Sequence, residues 1–515
     1  MASDKIVPEP DRANHGILSN HEHLLNNMGV RTVKGGALSI GSQMAGMVLQ
    51  LGTMIILARL LVPSDFGLIA LAGVVTGFLA MFTELGLATA TIQRKTINQD
   101  LVSALFYINI MMGCVIALLL AALAPFASIL FGEPRLTHVI WALALTIPVI
   151  SSSSQHSALL QRNMRWIPIY GITVFVQVIS CMTAVVGAWV FGLGYWAIIA
   201  QSWVSALLTT ALSWNFSKWR PSRVSDWRSV REPLQFGLHL TLFSFLNYFH
   251  RQFDDGLIGW RWGTNQLGHY NRAYTLLLLP LRLLNQPVSN AVIPALSRLQ
   301  DKPDRWRNTY LDAVAPITVV SAFLGANLMV LSGPLLHILY GPAWDRAGTI
   351  LGYLAISMIP AGAMNTAGWI YISLGNTKQM SHWALITTPF WVVAFLIALP
   401  YGAEGVAIGY SLAVLVLVAP CLAFASRNAP ISLADILAVV IPPIFTGLLS
   451  GVAAKLAIEQ GEFSGHWPVL MAGVLATSGI FSLILGLYCL ANRHYRWRLV
   501  HRLSHHRKSF FSQGT

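Results

Sequence analysis

Residues 247–255 gather polar and charged side chains in a chain that has few of them. Asn247, His250, Arg251, Asp254 and Asp255 fall in this short stretch, whereas only 10% of the 515 residues are charged and 55% are hydrophobic. An arginine offers a planar fork of donors that matches the oxygens of a phosphate group. A carboxylate can hold a cation or exchange a proton. These residue types therefore predict an anion site beside a group that responds to an ion.

A second polar set lies around Arg282, in the apolar segment LLLLPLRLLNQPVSNAVIP, and Glu84 lies much earlier, in FTELGLATA. A charge near the middle of a membrane helix costs about 2.5–3.5 kcal/mol even on the lenient insertion scale, so such residues should face a wet cavity. The predicted substrate-binding residues are Arg282, Arg251, Asn247, His250, Asn285 and Gln286. The predicted ion-coupling residues are Glu84, Asp254 and Asp255.

Structural interpretations of these residues stay open. Arg251 could form an ion pair with Asp254 or Asp255 that fixes helix packing, and the two aspartates could be solvated near the outer surface. Glu84 could be the structural partner of an arginine. Arg282 has no opposite charge within four residues on its own helix, so a structural partner would have to come from another helix.

Motifs of enzyme chemistry are absent from the sequence. It contains no nucleophile elbow, no Walker loop, no pair of histidines with metal-ligand spacing and no GxGxxG that opens a helix. We therefore expect a protein that is not an enzyme, with no cofactor, no metal ion and no catalytic residue.

The elements that must position these side chains are transmembrane helices. The mean hydropathy is +0.60, and apolar runs recur near the ~20 residues that a helix needs to cross a bilayer. Backbone groups in hydrocarbon must bond within their own segment, which favours helices. We predict an all-α polytopic membrane protein of about fourteen transmembrane helices. Their predicted bounds are 36–57, 66–92, 101–130, 138–160, 166–190, 194–216, 235–258, 270–295, 313–339, 347–374, 380–400, 404–425, 435–457 and 468–491.

The distribution of lysine and arginine predicts that both termini are cytoplasmic. With the N-terminus inside, 25 of the 33 Lys and Arg residues fall on the inner side, six fall on the outer side, and Arg251 and Arg282 remain within the membrane. Cytoplasmic loops of membrane proteins carry this excess of positive charge. The net charge of +13 therefore reflects topology, and we expect no nucleic acid partner.

An internal repeat predicts two six-helix bundles plus two C-terminal helices. An offset of 201 residues aligns Gly36 with Gly237, and an offset of 210 aligns FGLGYWAI (191–198) with YGAEGVAI (401–408). Two halves of six helices enter the membrane in the same orientation, as in transporters with parallel repeats. The predicted organisation is a cytoplasmic tail at 1–34, a first bundle at 35–216, a basic linker at 217–234, a second bundle at 235–425, two additional helices at 426–491 and a basic cytoplasmic tail at 492–515.

Three segments resemble those of a known family. ILARLLVPSDFGLIALA (56–72) resembles its R-L-L-x-P-x-D-F-G-L segment, DDGLIGWRWGTNQLGHYNRAYTLLLLP (254–280) its D-x-x-x-I-G segment, and VIPALSRLQD (292–301) its P-A-L-S-R-L-Q segment. On these segments the chain resembles the Wzx-type flippases of the multidrug, oligosaccharidyl-lipid and polysaccharide exporter superfamily, in particular the exopolysaccharide branch. The residues that match directly are Arg59, Asp65, Asp254, Gly259, Gly268, Tyr270 and Ala273.

The resemblance implies transport in the bacterial inner membrane. The implied cargo is an undecaprenyl-diphosphate-linked oligosaccharide repeat unit, moved from the cytoplasmic to the periplasmic leaflet by alternating access for exopolysaccharide biosynthesis. The implied partners are this lipid-linked oligosaccharide, membrane lipids, a polysaccharide polymerase and glycosyltransferases. The basic aromatic tail at 492–511 suits anionic headgroups, or alternatively a partner enzyme.

Two other functions stay open from the sequence. A membrane ligase or polymerase could act on the same lipid-linked glycans, although such enzymes need a sizeable outer loop and the outer loops here are short. A drug or cation antiporter of the same superfamily could share the two-bundle architecture.

Overall fold

The computed structural model describes residues 28–84, 87–94, 96–224, 231–461 and 465–491, with side chains described in these ranges except at 28–33, 81–84, 93, 231–251 and 491. Most of the predicted N-terminal tail, part of the 217–234 linker and all of the predicted C-terminal tail at 492–515 lie outside the described residues.

The described chain is built from helices joined by short connections. They are α1 Met28–Leu60, α2 Pro63–Glu84, α3 Leu87–Gln93, α4 Gln99–Phe131, α5 Arg135–Ala144, α6 Thr146–Arg162, α7 Trp166–Trp189, α8 Trp196–Ser217, α9 Arg231–Ser297, α10 Pro303–Tyr340, α11 Asp345–Ser373, α12 Thr377–Ala398, α13 Gly402–Ser426, α14 Leu433–Gln460 and α15 His466–Ala491. Short 3₁₀ turns at Pro342–Trp344 and Leu399–Tyr401 precede α11 and α13.

Twelve helical segments among the described residues are long and apolar enough to cross a membrane. Two of them are unusually long, Gln252–Ser297 with 46 residues and Thr377–Ser426 with 50 residues, whereas about 20 residues suffice for one crossing. The chain is therefore a multi-pass membrane protein made of helices.

The two helices predicted at 235–258 and 270–295 meet at a kink, without the loop predicted between them. The structure has one helical segment, α9, whose backbone leaves helical geometry only at Gly263, at φ 77° and ψ −179°. Only glycine adopts this conformation without a steric penalty, so one residue changes the chain direction without a loop. The polar residues around Gly263 indicated a loop, but they continue the helix on both sides.

The prediction of one continuous helix at 138–160 also needs correction. This region forms α5 and α6, which meet at Leu145, and Pro148 follows shortly after. Proline has no N–H for the carbonyl four residues earlier and crowds it, which disturbs the helix. Helix α8 contacts both α5 and α6. Trp203 Nε1 donates to the Ala142 carbonyl at 3.0 Å, and Thr210 Oγ1 donates to the Val149 carbonyl at 2.9 Å. The predicted helix at 66–92 is described as α2 and α3; residues 85 and 86 between them lie outside the described residues, so its continuity stays a prediction.

Contacts divide the chain into two compact units, 1–265 and 266–515. The division falls just after Gly263, about thirty residues beyond the predicted start of the second bundle at 235. In the second unit the largest core cluster lies around Trp306, Tyr310 and Ile370, all of them fully buried.

The turn between α7 and α8, in the first unit, lies beside the N-terminal end of α2. Gly192 in this turn has φ 60°, and a side-chain carbon added at Gly194 would lie 3.8 Å from Asp65 Oδ2. Arg135 adds a further contact, because its guanidinium lies 5.8 Å from the Tyr195 ring centroid.

The turn between α12 and α13, in the second unit, lies beside Gln266. Gly402, which the 210-residue offset aligns with Gly192, has φ 78°. The Ala403 backbone N–H donates to Gln266 Oε1 at 3.0 Å, and the 201-residue offset aligns Gln266 with Asp65. Arg346 Nε donates to Glu404 Oε1 of the same turn at 3.1 Å.

Candidate functional site

The second part of α9, after Gly263, presents Arg282 on an accessible face. Arg282, Gln286 and Asn290 are exposed and recur at intervals of four residues, so they follow one stripe along the helix. The neighbouring stripe, Leu283 and Pro287, is also exposed but apolar. Arg282 lies in the central third of this part of the helix, so the stripe brings a cation and two amides to mid-membrane depth.

The opposite face of this helix fixes the orientation of the stripe. Val288, Val292 and Leu296 pack into the large core cluster of the second unit. Ser289 is seven residues from Arg282 and therefore on nearly the same side of the helix; its Oγ accepts from Trp369 Nε1 on α11 at 2.7 Å. The apolar contacts on one side and this hydrogen bond beside the stripe fix the rotation of the helix and leave the polar stripe accessible.

Among the described residues, Arg282 makes no hydrogen bond or ion pair. The Oδ1 atom of Asn285 is buried and accepts no hydrogen bond in the part of the chain that the structure describes. An accessible guanidinium at this depth requires water or an anion beside it, because hydrocarbon cannot solvate it. Arg282 and Gln286 are the predicted substrate-binding residues that the structure brings together on one face. Asn285, which directly precedes Gln286, is half-buried beside this face.

Asp254 and Asp255 lie in the first unit and are buried, with 4% and 7% of their surface exposed. The interpretation of these aspartates as simply solvated near the outer surface is therefore wrong. Packing of the apolar residues around them, such as Ile258 with 0% exposure, removes them from water. A buried carboxylate must be paired, hydrogen-bonded or protonated, which leaves their predicted role in ion coupling open.

The remaining predicted site residues fall where side chains are not described. Glu84, Asn247, His250 and Arg251 lie outside the residues whose side chains the structure describes. Their predicted roles, and the predicted ion pair of Arg251, stay predictions.

An outer ion pair lies between α4 and α5. Arg135 donates to both carboxylate oxygens of Glu133, from Nε at 2.9 Å and from Nη2 at 3.0 Å, and its Nη1 lies 3.9 Å from Asp65 Oδ1. The hydrogen bond from Arg135 lowers the pKa of Glu133. Both charges are satisfied locally, so we interpret this cluster as structural.

A neutral polar cavity in the first unit was missed by reasoning from charges. It lies between α2, α5, α6, α7 and α8 and is lined by hydroxyl and amide side chains. The sequence signal that could have found it is the pair Gln177 and Gln201, each the one glutamine of a long apolar helix. No group of three or more His, Cys, Asp or Glu residues that could hold a metal ion occurs in the described part of the chain.

The fold and the polar face of α9 define a class, the helical multi-pass proteins of the flippase and multidrug transporter fold. A solved structure titled lipid II flippase MurJ, inward closed conformation, has TM-score 0.67 at 15% sequence identity, covering 88% of this chain and 99% of that one. An inward-facing multidrug resistance MATE family transporter has TM-score 0.54 at 13% identity, covering 81% of this chain and 96% of that one.

The family is narrower than the fold. A family model described as polysaccharide biosynthesis protein matches residues 56–349, which is more than half of the chain, and the chain belongs to this family. This confirms the family that the segments at 56–72, 254–280 and 292–301 indicated.

Sequence relatives agree with the family. The lipopolysaccharide biosynthesis protein WzxC of Escherichia coli K12 is 24% identical over 74% of this chain and 78% of its own length. The succinoglycan biosynthesis transport protein ExoT of Rhizobium meliloti is 26% identical over 71% of this chain and 73% of its own length. The teichuronic acid biosynthesis protein TuaB of Bacillus subtilis is 25% identical over 60% of this chain and 64% of its own length.

Proposed function

We propose that this protein translocates undecaprenyl-diphosphate-linked oligosaccharide repeat units across the bacterial inner membrane for exopolysaccharide biosynthesis. The observation that carries the proposal is Arg282, an accessible arginine halfway along an apolar helix in a chain of the polysaccharide biosynthesis family. The name of the relative ExoT, a transport protein of succinoglycan biosynthesis, supports transport over other steps of the same biosynthesis.

The chemistry of the cargo matches the polar stripe on α9. The diphosphate needs cations, and the guanidinium fork of Arg282 can meet two phosphate oxygens at once. Gln286 and Asn290 extend the stripe toward the inner end of the helix with neutral donors and acceptors. The exposed apolar stripe beside them, Leu283 and Pro287, suits the lipid part of the cargo.

We propose fourteen spans and two cytoplasmic termini. The number follows when the long segment at 231–297 is counted as two spans that meet at Gly263 and the segment at 377–426 as two spans that meet at the 3₁₀ turn. An even number agrees with the inner location of most lysines and arginines. The matching contacts of the two outer turns support two equivalent halves, which alternating access by rocking of repeats requires.

We also propose that the protein is not an enzyme. A ligase or polymerase would act on repeat units that have already reached the outer leaflet, whereas a flippase acts before that step. Removing the protein should therefore leave lipid-linked repeat units in the cytoplasmic leaflet.

The location of these units tests the function. Spheroplasts of a strain without this protein are treated with a membrane-impermeant glycan oxidase, and the lipid-linked oligosaccharide is extracted before and after lysis. Protection in intact spheroplasts and labelling after lysis support the flippase. Labelling in intact spheroplasts would assign the protein to a later step and favour the ligase or polymerase. Unchanged levels of lipid-linked oligosaccharide would favour the antiporter.

A further inference from the structure

The neutral cavity of the first unit has the size of a ligand site. Its volume is about 610 Å³, within the range of about 300–1,000 Å³ that is usual for small-molecule pockets. All of its lining residues belong to the first unit, so it is a feature of that unit alone.

The cavity lies at mid-membrane depth. Its lining includes Thr76, Thr146, Gln177 and Ser205, and each of these lies in the central third of α2, of the α5–α6 pair, of α7 and of α8, respectively. Substrate sites of transporters with repeats lie near this depth, commonly beside interrupted helices. The break between α5 and α6 at Leu145 directly precedes Thr146.

None of the described residues that line the cavity is charged. This part of the lining offers no cation to a diphosphate and no carboxylate to a cationic drug. Leu143, Ile147 and Ile150 supply apolar surface on one side. The lining therefore suits a neutral ligand that has both polar and apolar faces.

Four of the six hydroxyl side chains that line the cavity donate to backbone carbonyls of their own or the preceding helix. Thr76 Oγ1 donates to the Ala72 carbonyl at 2.7 Å, and Ser202 Oγ donates to the Ile198 carbonyl at 3.1 Å. Such bonds make the hydroxyls inexpensive to bury, and they leave the oxygen lone pairs free as acceptors. A ligand of this cavity should therefore bring its own donors.

Two glutamine side chains of the lining make few hydrogen bonds. Gln177 Nε2 donates to Cys181 Sγ at 3.1 Å, and Gln201 Nε2 lies 3.8 Å from the same sulfur. Among the described residues, these contacts with a weak acceptor are the only hydrogen bonds of either side chain. The two amides thus keep their carbonyl oxygens and one N–H each for a ligand.

We infer that this cavity binds the glycan part of the cargo, through the hydroxyl groups of a neutral sugar residue. Sugar hydroxyls can donate to the oxygen lone pairs of the lining and accept from the spare amide N–H groups, while the C–H faces of the ring rest on Leu143, Ile147 and Ile150. The inference rests on the proposed function, and it separates the site of the sugar from the site of the diphosphate at Arg282.

Binding of two lipids tests the inference. The probes are undecaprenyl diphosphate and the same lipid carrying the repeat-unit oligosaccharide isolated from the host, each titrated into the full chain in nanodiscs. The variant is Gln177→Leu with Gln201→Leu. It should bind the sugar-bearing lipid about tenfold more weakly than the wild type, a loss of about 1.4 kcal/mol, and bind the bare lipid unchanged.

The matched control is Cys181→Ala, which removes the sulfur that both amides contact and leaves the amides in place. A glycan role predicts binding of both lipids within about twofold of the wild type in this control. If Cys181→Ala weakens binding of the sugar-bearing lipid as much as the double glutamine variant does, the amides serve helix packing and the inference is wrong.

The remaining outcomes separate the inference from the proposed function. If the double glutamine variant loses equal affinity for both lipids, or loses none, the glycan site is refuted while the flippase function stands. An equal loss that also depends on Na⁺ or K⁺ would assign the amide oxygens to a cation. If the wild-type protein binds neither lipid, both the proposed function and the glycan site are refuted.

Discussion

Replacement of Arg282 should weaken cargo binding and leave folding intact. The side chain is exposed and makes no hydrogen bond or ion pair among the described residues, so its removal creates no core cavity. A hydrogen bond to a charged group contributes about 1.5–3 kcal/mol. Arg282→Lys keeps the charge but exchanges the fork for a single point of contact, which should cost about one such bond and reduce affinity for undecaprenyl diphosphate about 10- to 100-fold.

Arg282→Ala should lose more, because it removes both phosphate contacts and the charge. Binding of undecaprenyl diphosphate to the protein in nanodiscs measures the loss, and the leaflet assay measures its consequence, accumulation of repeat units on the cytoplasmic side. Arg298 is the matched control, because it is an exposed arginine directly after the end of the same helix at Ser297. Near the end of the helix water can solvate it, so Arg298→Ala should change affinity less than about twofold.

A structural role of Arg282 gives a different pattern. If Arg282 pairs with a carboxylate of another helix, Arg282→Ala lowers the amount of folded protein, because an unpaired buried charge remains. Glu84 is the candidate partner from the sequence. Recovery of both folded protein and export in a Glu84→Gln, Arg282→Gln double variant would refute the reasoning about the diphosphate.

Three further predictions concern topology, coupling and the break in α9. Reporter tags at both termini and in the 217–234 loop should all report the cytoplasm, and a periplasmic signal from any of them contradicts the arrangement of two halves. Export should continue without ATP when an ion gradient is imposed; Glu84→Gln and Asp254→Asn should reduce its gradient dependence, and normal export by both variants would assign the coupling to other residues. Gly263→Ala should lower the free energy of unfolding by about 1–3 kcal/mol because of its backbone conformation, which is measured as a lower melting temperature in detergent. The control Gly52→Ala should not lower the melting temperature, because a side chain at Gly52 meets no atom within 4 Å. Equal melting temperatures of the two variants would show that the break tolerates a side chain.

The helices and the polar stripe of α9 could be predicted from the sequence because both depend on local periodicity. Apolar runs of sufficient length indicate spans regardless of their neighbours. The four-residue interval from Arg282 to Gln286 places both side chains on one face of any helix. The family was predictable for a similar reason, since its segments are contiguous in the chain.

The break at Gly263 and the neutral cavity could not be predicted in the same way. A single glycine among polar residues looks like part of a loop, and only the backbone angles show that the helix resumes at once. Gln177 and Gln201 are each the one glutamine of a helix that is otherwise apolar or lined with small hydroxyl residues. Their meeting across Cys181 depends on the packing of α7 against α8, which no local pattern encodes.

The two polar regions differ in a way that fits a cargo with two chemically different parts. Arg282 lies on an accessible stripe with a permanent charge, which can attract a diphosphate but cannot distinguish one sugar from another. The cavity with Gln177 and Gln201 has no charge, so any discrimination there must come from the number and positions of hydrogen bonds. A site that hydrogen-bonds a hydroxyl group strongly rejects analogues that lack it, because its own buried groups are then left unpaired. Affinity for every undecaprenyl-diphosphate lipid should therefore depend on Arg282, and choice among glycans on the two glutamines. Exchange of the glutamines should then broaden the range of repeat units exported, while exchange of Arg282 should lower export of all of them together.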